Sequence, residues 1–499
     1  MKGFMGSHVV GRSFFSAVSE GKLLWCVFLA SLVLSLIASF CNPIIGRDAA
    51  LYMDLAGIYQ QQGVTGALQR FDWPWFSILL GMTSQVTGLS FELLARVFCE
   101  LLTAVACVAC VDLVRRFRPA SLPWACFAVL AVPAFNDYRG DILRENGFWA
   151  FSLIGLCYMQ SWVQQRRPAS LLLAFLAVVV AAAFRFEAVY LLLVVPVMEV
   201  LRVRGNSMHR GMRAAIGIAL IGAVVAGTLW AGRHGLLPQG RVAELVDYLD
   251  LSSVLRNFYT FADGVAQAMP FEYARDSAPQ IILFGLLCYV ASKVLGVFGV
   301  LMLPLFVGAV EQWRARENRW LLLDIAAVGY IALLLVFALS HLFLSSRYVA
   351  FAGFLLLPRV AWGLSLMAQR WPRTRGAMVV ILVAMALANV VSLSAPKTHL
   401  REAGHWVGAH LPKSASVYQD DNRVSYYAGW GYGRESLDRD HALALTGKGT
   451  YEYFVLDLKR KADQQLPALL KQGLVPLAQF HNRKGETYVI LRRGGAQQP

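Results

Sequence analysis

The chain has 499 residues, 57% of them hydrophobic and 15% charged, with a mean hydropathy of +0.52. A soluble domain carries about 25% charged residues, so the composition excludes an ordinary soluble enzyme and points to a polytopic membrane protein. The 46 Lys and Arg against 31 Asp and Glu give a net charge of +15. They gather in short clusters between apolar runs, with no basic stripe of interleaved aromatics, which encodes membrane orientation and excludes a nucleic-acid surface.

Lys2, Arg12 and Lys22 precede a first apolar run at 23–45. The run is long for a signal peptide, and Phe40 stands where a cleavage site needs a small residue, so it is read as a retained first helix with a cytoplasmic start. Gly46-Arg47-Asp48-Ala49-Ala50-Leu51-Tyr52 follows, where the run emerges. An ionisable pair at that level is expensive unless something uses it. Residues 48–62 read as an amphipathic helix, and Trp73-Pro74-Trp75 opens a short apolar piece ending at Gly88. Both suit helices lying at the interface with Trp anchors.

Further spans are expected at 93–114, 123–135, 148–163, 171–184, 188–201, 214–230, 281–310, 320–344, 349–367 and 378–393, giving about eleven. Every second connection carries a short basic cluster, which predicts a cytoplasmic N-terminus and an extracytoplasmic C-terminus. The run 281–310 exceeds one span: it is either one tilted helix or an interfacial helix 281–293 followed by a short span from Val294. The eight cysteines all lie in or beside apolar segments and read as small buried hydrophobes. Residues 396–499 change character, with strands expected at 416–419, 453–458, 475–480 and 487–491 and a helix at 462–472 closed by Gly473. The expected architecture is mainly α, a membrane helical bundle (1–395) with interfacial helices and a small C-terminal α/β domain (396–499).

The polar features facing the extracytoplasmic side come from distant segments at one membrane level: Arg47-Asp48, the patch Asp137/Arg139/Asp141/Arg144/Glu145, Arg185/Glu187, Lys293 and Arg347. Carboxylates can take a proton from an acceptor hydroxyl, and arginines can hold a phosphate bidentately. Purely structural readings compete. Asp48 could cap a helix. Asp137 and Asp141 could share a helix face, with Arg144 pairing to Asp141. Arg185 and Glu187 could bridge helix ends, and Arg347 with Tyr348 could be a snorkelling pair. Arg359 has no partner in sequence, His341 reads as a hydrogen-bonding residue, and no metal-ligand spacing or Gly-rich phosphate loop is present.

Gly-Arg-Asp-x-x-x-Tyr after the first span, the segment opening at Trp73-Pro74, the Glu92/Arg96 helix, the Asp141–Glu145 patch and Ser345-Ser346-Arg347-Tyr348 before a helix containing Pro358 together resemble the GT-C glycosyltransferases. The likeness is to the bacterial branch related to protein O-mannosyltransferases (family 39-like), lipid A aminoarabinose transferase and the Rgt galacturonosyltransferases, over roughly residues 20–395. It implies an enzyme of the bacterial inner membrane. That enzyme would move a hexosyl or pentosyl group from a polyprenyl-phosphate donor to an envelope glycan, lipid or protein, with inversion. By this likeness Asp48 would be the catalytic base or would orient the acceptor, with Asp141 or Glu145 as a second carboxylate. Arg347, Lys293, Arg47 and Arg185 would hold the donor phosphate. Tyr52, Arg139, Arg144, Glu187 and Tyr348 would serve the acceptor or the structure. The sequence assigns no cofactor and leaves a divalent cation open. The chain lacks the adjacent Asp-Glu of the protein mannosyltransferases, which favours a glycan or lipid-linked acceptor.

Two other classes fit a polytopic chain: a lipid-linked sugar flippase or transporter, and an O-antigen-ligase-like transferase using a diphosphate-linked glycan. A transporter should show matching broken helices with charges near the midplane. A ligase-like enzyme should place its base in the large outer loop, not after the first span.

Overall fold

The structure, a computed structural model, describes residues 19–202, 251–315, 317–392, 396–433, 438–445 and 451–494, with isolated positions between 215 and 230. The rest of the expected span 214–230, and residues 231–250 of the outer loop, lie outside the described residues. Five described helices are long and apolar enough to cross a membrane: Glu20–Cys41, Phe91–Phe117, Ala278–Gly296, Leu321–His341 and Ser346–Arg370. Serine caps start two of them, Ser19 accepting from the Lys22 amide and Ser90 from that of Leu93.

Among the described residues, several of the other expected spans form shorter or broken apolar helices. The run 123–135 ends as helix Leu122–Ala131, and Pro133 opens a separate turn. The run 188–201 begins as a 3-10 helix over Phe186–Leu193 and becomes α-helical only at Val194–Leu201. The run 281–310 is two helices, Ala278–Gly296 and Met302–Ala315, separated at Gly299, whose φ of +53° suits glycine.

Helix Ser346–Arg370 is the central pillar and is buried along nearly its whole length. Phe354 stacks on Phe135 with ring centroids 3.6 Å apart, and Trp362 stacks on Trp320 at 5.5 Å. Pro358 cannot donate to the Phe354 carbonyl one turn back, and the Cys110 thiol donates to that carbonyl instead, at 3.7 Å. Met302–Ala315 crosses the pillar at two glycines: a Cβ at Gly363 would overlap the Pro304 carbonyl, and one at Gly308 the Arg359 carbonyl. Such close crossings are how membrane helices gain packing without a hydrophobic drive. Gly363→Val is expected to destabilise the protein by about 3 kcal/mol or more, read as the thermal inactivation midpoint in detergent. A midpoint equal to the wild type would show that the crossing can relax.

Arg359 has partners after all. It is buried within the pillar and pairs with Asp324 and Gln312. The interfacial segment forms as helix Arg47–Arg70, kinked at Gly63, and helix Trp75–Thr87, closed by Gly88 in the left-handed region. Trp73 is not a lipid anchor: it is 5% exposed and donates to the Ala182 carbonyl at 2.9 Å. The C-terminal domain is a four-stranded sheet of Val417–Gln419 (β1), Tyr453–Lys459 (β2), Leu474–His481 (β3) and Thr487–Arg493 (β4) in the order β1-β2-β4-β3. β1 and β2 are parallel and the other pairs antiparallel. Its Pro476 sits on the edge strand β3, where a missing ladder donor is tolerated.

Candidate active site

Three helices begin at one place. Asp48 is the second residue of Arg47–Arg70, Glu145 the first of Glu145–Gln165, and Arg347 the second of Ser346–Arg370. The partial positive charge of a helix N-terminus favours carboxylates and bound anions there. Asp48 and Glu145 occupy two of these first turns, and Arg347 joins them. Its guanidinium bonds the Asp48 carboxylate and reaches Glu145 at 3.8 Å. Glu145 also receives Arg185 at 3.0 Å, and Arg185 binds Glu187 at 2.5 Å. Tyr348 lies beneath, its ring centroid 4.6 Å from Arg185 and 5.1 Å from Arg347, its hydroxyl 3.3 Å from an Arg347 nitrogen. Tyr52 is buried against Phe76 nearby, and burial pushes its phenol well above the ordinary range.

Several buried polar atoms of this cluster have no hydrogen-bond partner: Nε and Nη1 of Arg144, Nε of Arg347 and Oε2 of Glu145. Buried polar groups without partners cost on the order of 1–3 kcal/mol each, and a bound anion could accept from the arginine nitrogens among them. Arg144 does not pair with Asp141 as its spacing suggested. It rests over the Phe71 ring at 5.4 Å. Residues 137–144 form turns instead of a helix, so Asp137 and Asp141 share no helical face. Gly140 fits closely against the Ala38 carbonyl. Asp48 does not cap its helix either, since the cap position is Gly46.

Asp141 stands beside this cluster. Burial first, then the charge of Asp48, raises its pKa above the ordinary carboxylate value, opposed by Arg347 and Arg96. It lines a cavity of about 560 Å³ between the C-terminal ends of helices Glu20–Cys41 and Arg375–Ala388, with Asn42, Asn389 and Lys397 on other walls. A second cavity of about 210 Å³ brings Lys293 to Asp137, Tyr138 and Ser346, next to Arg347. Two expected residues lie elsewhere. Arg139 is buried away from the carboxylates and ties the turn to Ser31, Ser35 and Asn136. Arg47 turns outward to Asp421 of the C-terminal domain, at 3.1 Å. Asp421 and Arg423 gave no local signal, since nothing in sequence links 421–423 to 45–48. Among the described residues no three His, Cys, Asp or Glu are arranged to hold a metal ion, and Asp48 and Glu145 are each met by arginine.

This fold, a polytopic helical bundle with interfacial helices after the first span and an appended small domain, is that of the GT-C glycosyltransferases. Two solved structures carry the likeness. One is the Archaeoglobus fulgidus oligosaccharyltransferase in complex with Zn and sulfate, at TM-score 0.57 and 12% identity over 94% of this chain and 72% of that one. The other is ArnT from Cupriavidus metallidurans bound to undecaprenyl phosphate, at TM-score 0.57 and 14% identity over 97% of this chain and 100% of that one. No family model and no curated protein matches the sequence.

Proposed function

We propose that this chain is a membrane glycosyltransferase that moves a sugar from a polyprenyl-phosphate donor to an envelope glycan, lipid or protein. The observation that carries the reading is the junction of Asp48, Glu145, Arg347 and Arg185 at three helix N-termini, with unpartnered arginine nitrogens beside it. The undecaprenyl phosphate of the ArnT neighbour agrees with this chemistry. Arg347 and Arg185, with Lys293 from the adjoining cavity, bind the donor phosphate. When the phosphate takes up Arg347, the Asp48 carboxylate is released to act as base. Asp48 removes the proton of the acceptor nucleophile as its bond to the anomeric carbon forms. The bond from that carbon to the phosphate oxygen breaks on the opposite face, so configuration inverts and polyprenyl phosphate leaves. Asp141, in the larger cavity, orients the acceptor.

In this reading the protein sits in the bacterial inner membrane, with its N-terminus in the cytoplasm and the C-terminal domain outside. The C-terminal domain contacts the Asp48 helix, so site and domain share one face. A reporter fused after Pro499 that is active only outside the cytoplasm should be active; activity of a cytoplasm-only reporter there would invert the topology. The proposed activity itself is tested by incubating the purified protein with a polyprenyl-phosphate-linked sugar. Release of polyprenyl phosphate is expected, and none over background would refute it.

A further inference from the structure

We infer that Asp421, in the C-terminal domain, is a positioning residue that sets the place of Asp48 by gripping the chain just before it. The inference rests on the proposed role of Asp48. Asn42 to Gly46, between the first membrane helix and the Asp48 helix, is not helical, and Gly46 offers no side-chain cap. A connection of this kind is free to shift unless other groups hold it.

The C-terminal domain supplies those groups. Ile44 is 5% exposed and inserted into the domain's own apolar core beside Leu400, Val424 and Ile490. The Ile45 amide donates to the Tyr427 hydroxyl at 3.3 Å, and the Ile45 carbonyl accepts from Arg423 at 3.0 Å. Arg47 donates from Nε and Nη2 to one oxygen of Asp421, at 3.2 and 3.1 Å. Asp421 also accepts from the amide, Nε and Nη2 of Arg423 at 3.0, 3.0 and 2.8 Å. Burial of Asp421 opposes its charge, but Arg423 and then Arg47 overcome this and hold its carboxyl below the ordinary range. The far end of the same helix is also tied, Arg70 donating to the Tyr432 carbonyl at 3.0 Å.

Asp421 therefore joins the two arginines that fix residues 45 and 47, and Asp48 is the next residue. A displacement of about 1 Å in a reacting group can lower a rate by about 10²-fold. A carboxylate that touches no substrate can thus govern turnover.

Asp421→Asn and Arg47→Gln are compared with the wild type in two measurements. Hydrogen exchange is followed at amides 44–53 and, as a fold control, in β2 and β4. Turnover of a polyprenyl-phosphate-linked sugar, transfer to water included, is measured beside affinity for undecaprenyl phosphate. Both variants are expected to exchange faster at 44–53 with the strands still protected, and to lose about tenfold or more in kcat with undecaprenyl phosphate affinity unchanged. Should Asp421→Asn lose strand protection, Arg47→Gln carries the result, because the Arg47 side chain is 62% exposed and lies outside the domain core. Unchanged exchange at 44–53, or faster exchange with wild-type kcat, would overturn the inference. Were the wild type to turn over no donor, the proposed function would fall and the exchange comparison alone would judge the grip.

Discussion

Asp48→Asn is expected to lower sugar transfer by about 10²–10⁴-fold, the usual worth of general-base catalysis, while leaving a folded, membrane-inserted protein. Asparagine has nearly the shape of aspartate and can still accept a bond from Arg347, but it cannot take the acceptor's proton. The structural loss is small. Gly46 holds the cap position, so Asp48 contributes to its helix only through first-turn charge, on the order of 0.3–1 kcal/mol. Donor binding should persist or tighten, because a neutral amide competes less than a carboxylate for the Arg347 guanidinium. The measurement is turnover of a defined polyprenyl-phosphate sugar and acceptor, alongside affinity for the free polyprenyl phosphate. Near-normal turnover would remove Asp48 from the chemistry and move the base to Asp141 or Glu145.

Arg347→Ala should weaken polyprenyl phosphate binding by roughly 10- to 100-fold, since hydrogen bonds to charged groups contribute about 1.5–3 kcal/mol and 1.4 kcal/mol is tenfold in affinity. It also leaves Asp48 without its partner, while Glu145 keeps Arg185. Arg347→Lys separates the two effects. The ammonium keeps the charge that satisfies Asp48 but lacks the planar fork that meets a phosphate bidentately. Its thermal midpoint should stay near the wild type while its affinity falls between those of Arg and Ala. Wild-type affinity in a folded Arg347→Ala protein would take this residue out of the donor site.

The sequence by itself determined the membrane class, the interfacial helices after the first span, the strands of the C-terminal domain and the polar character of the helix ends. Each of these is a local property: an apolar run, an alternating strand, or a Gly such as Gly88 or Gly473 taking up positive φ after a helix. Local patterning could not show where apolar runs break. The run 281–310 is continuous in hydropathy and divides only where Gly299 turns. The 137–141 spacing suggested a helical face, whereas these residues form turns, with Gly140 packed closely on Ala38.

The tertiary structure alone decided the pairings. Asp48 and Arg347 meet across 299 residues, and Arg47 and Asp421 across 374. Arg359 had no partner in sequence, because Asp324 stands at the start of another helix. A charge carries no mark of its partner in its neighbours along the chain. The packing that brings distant helix ends to one level selects the partner. The same packing turned Arg47 from its neighbour Asp48 toward Asp421, because side chains one residue apart on a helix point in different directions.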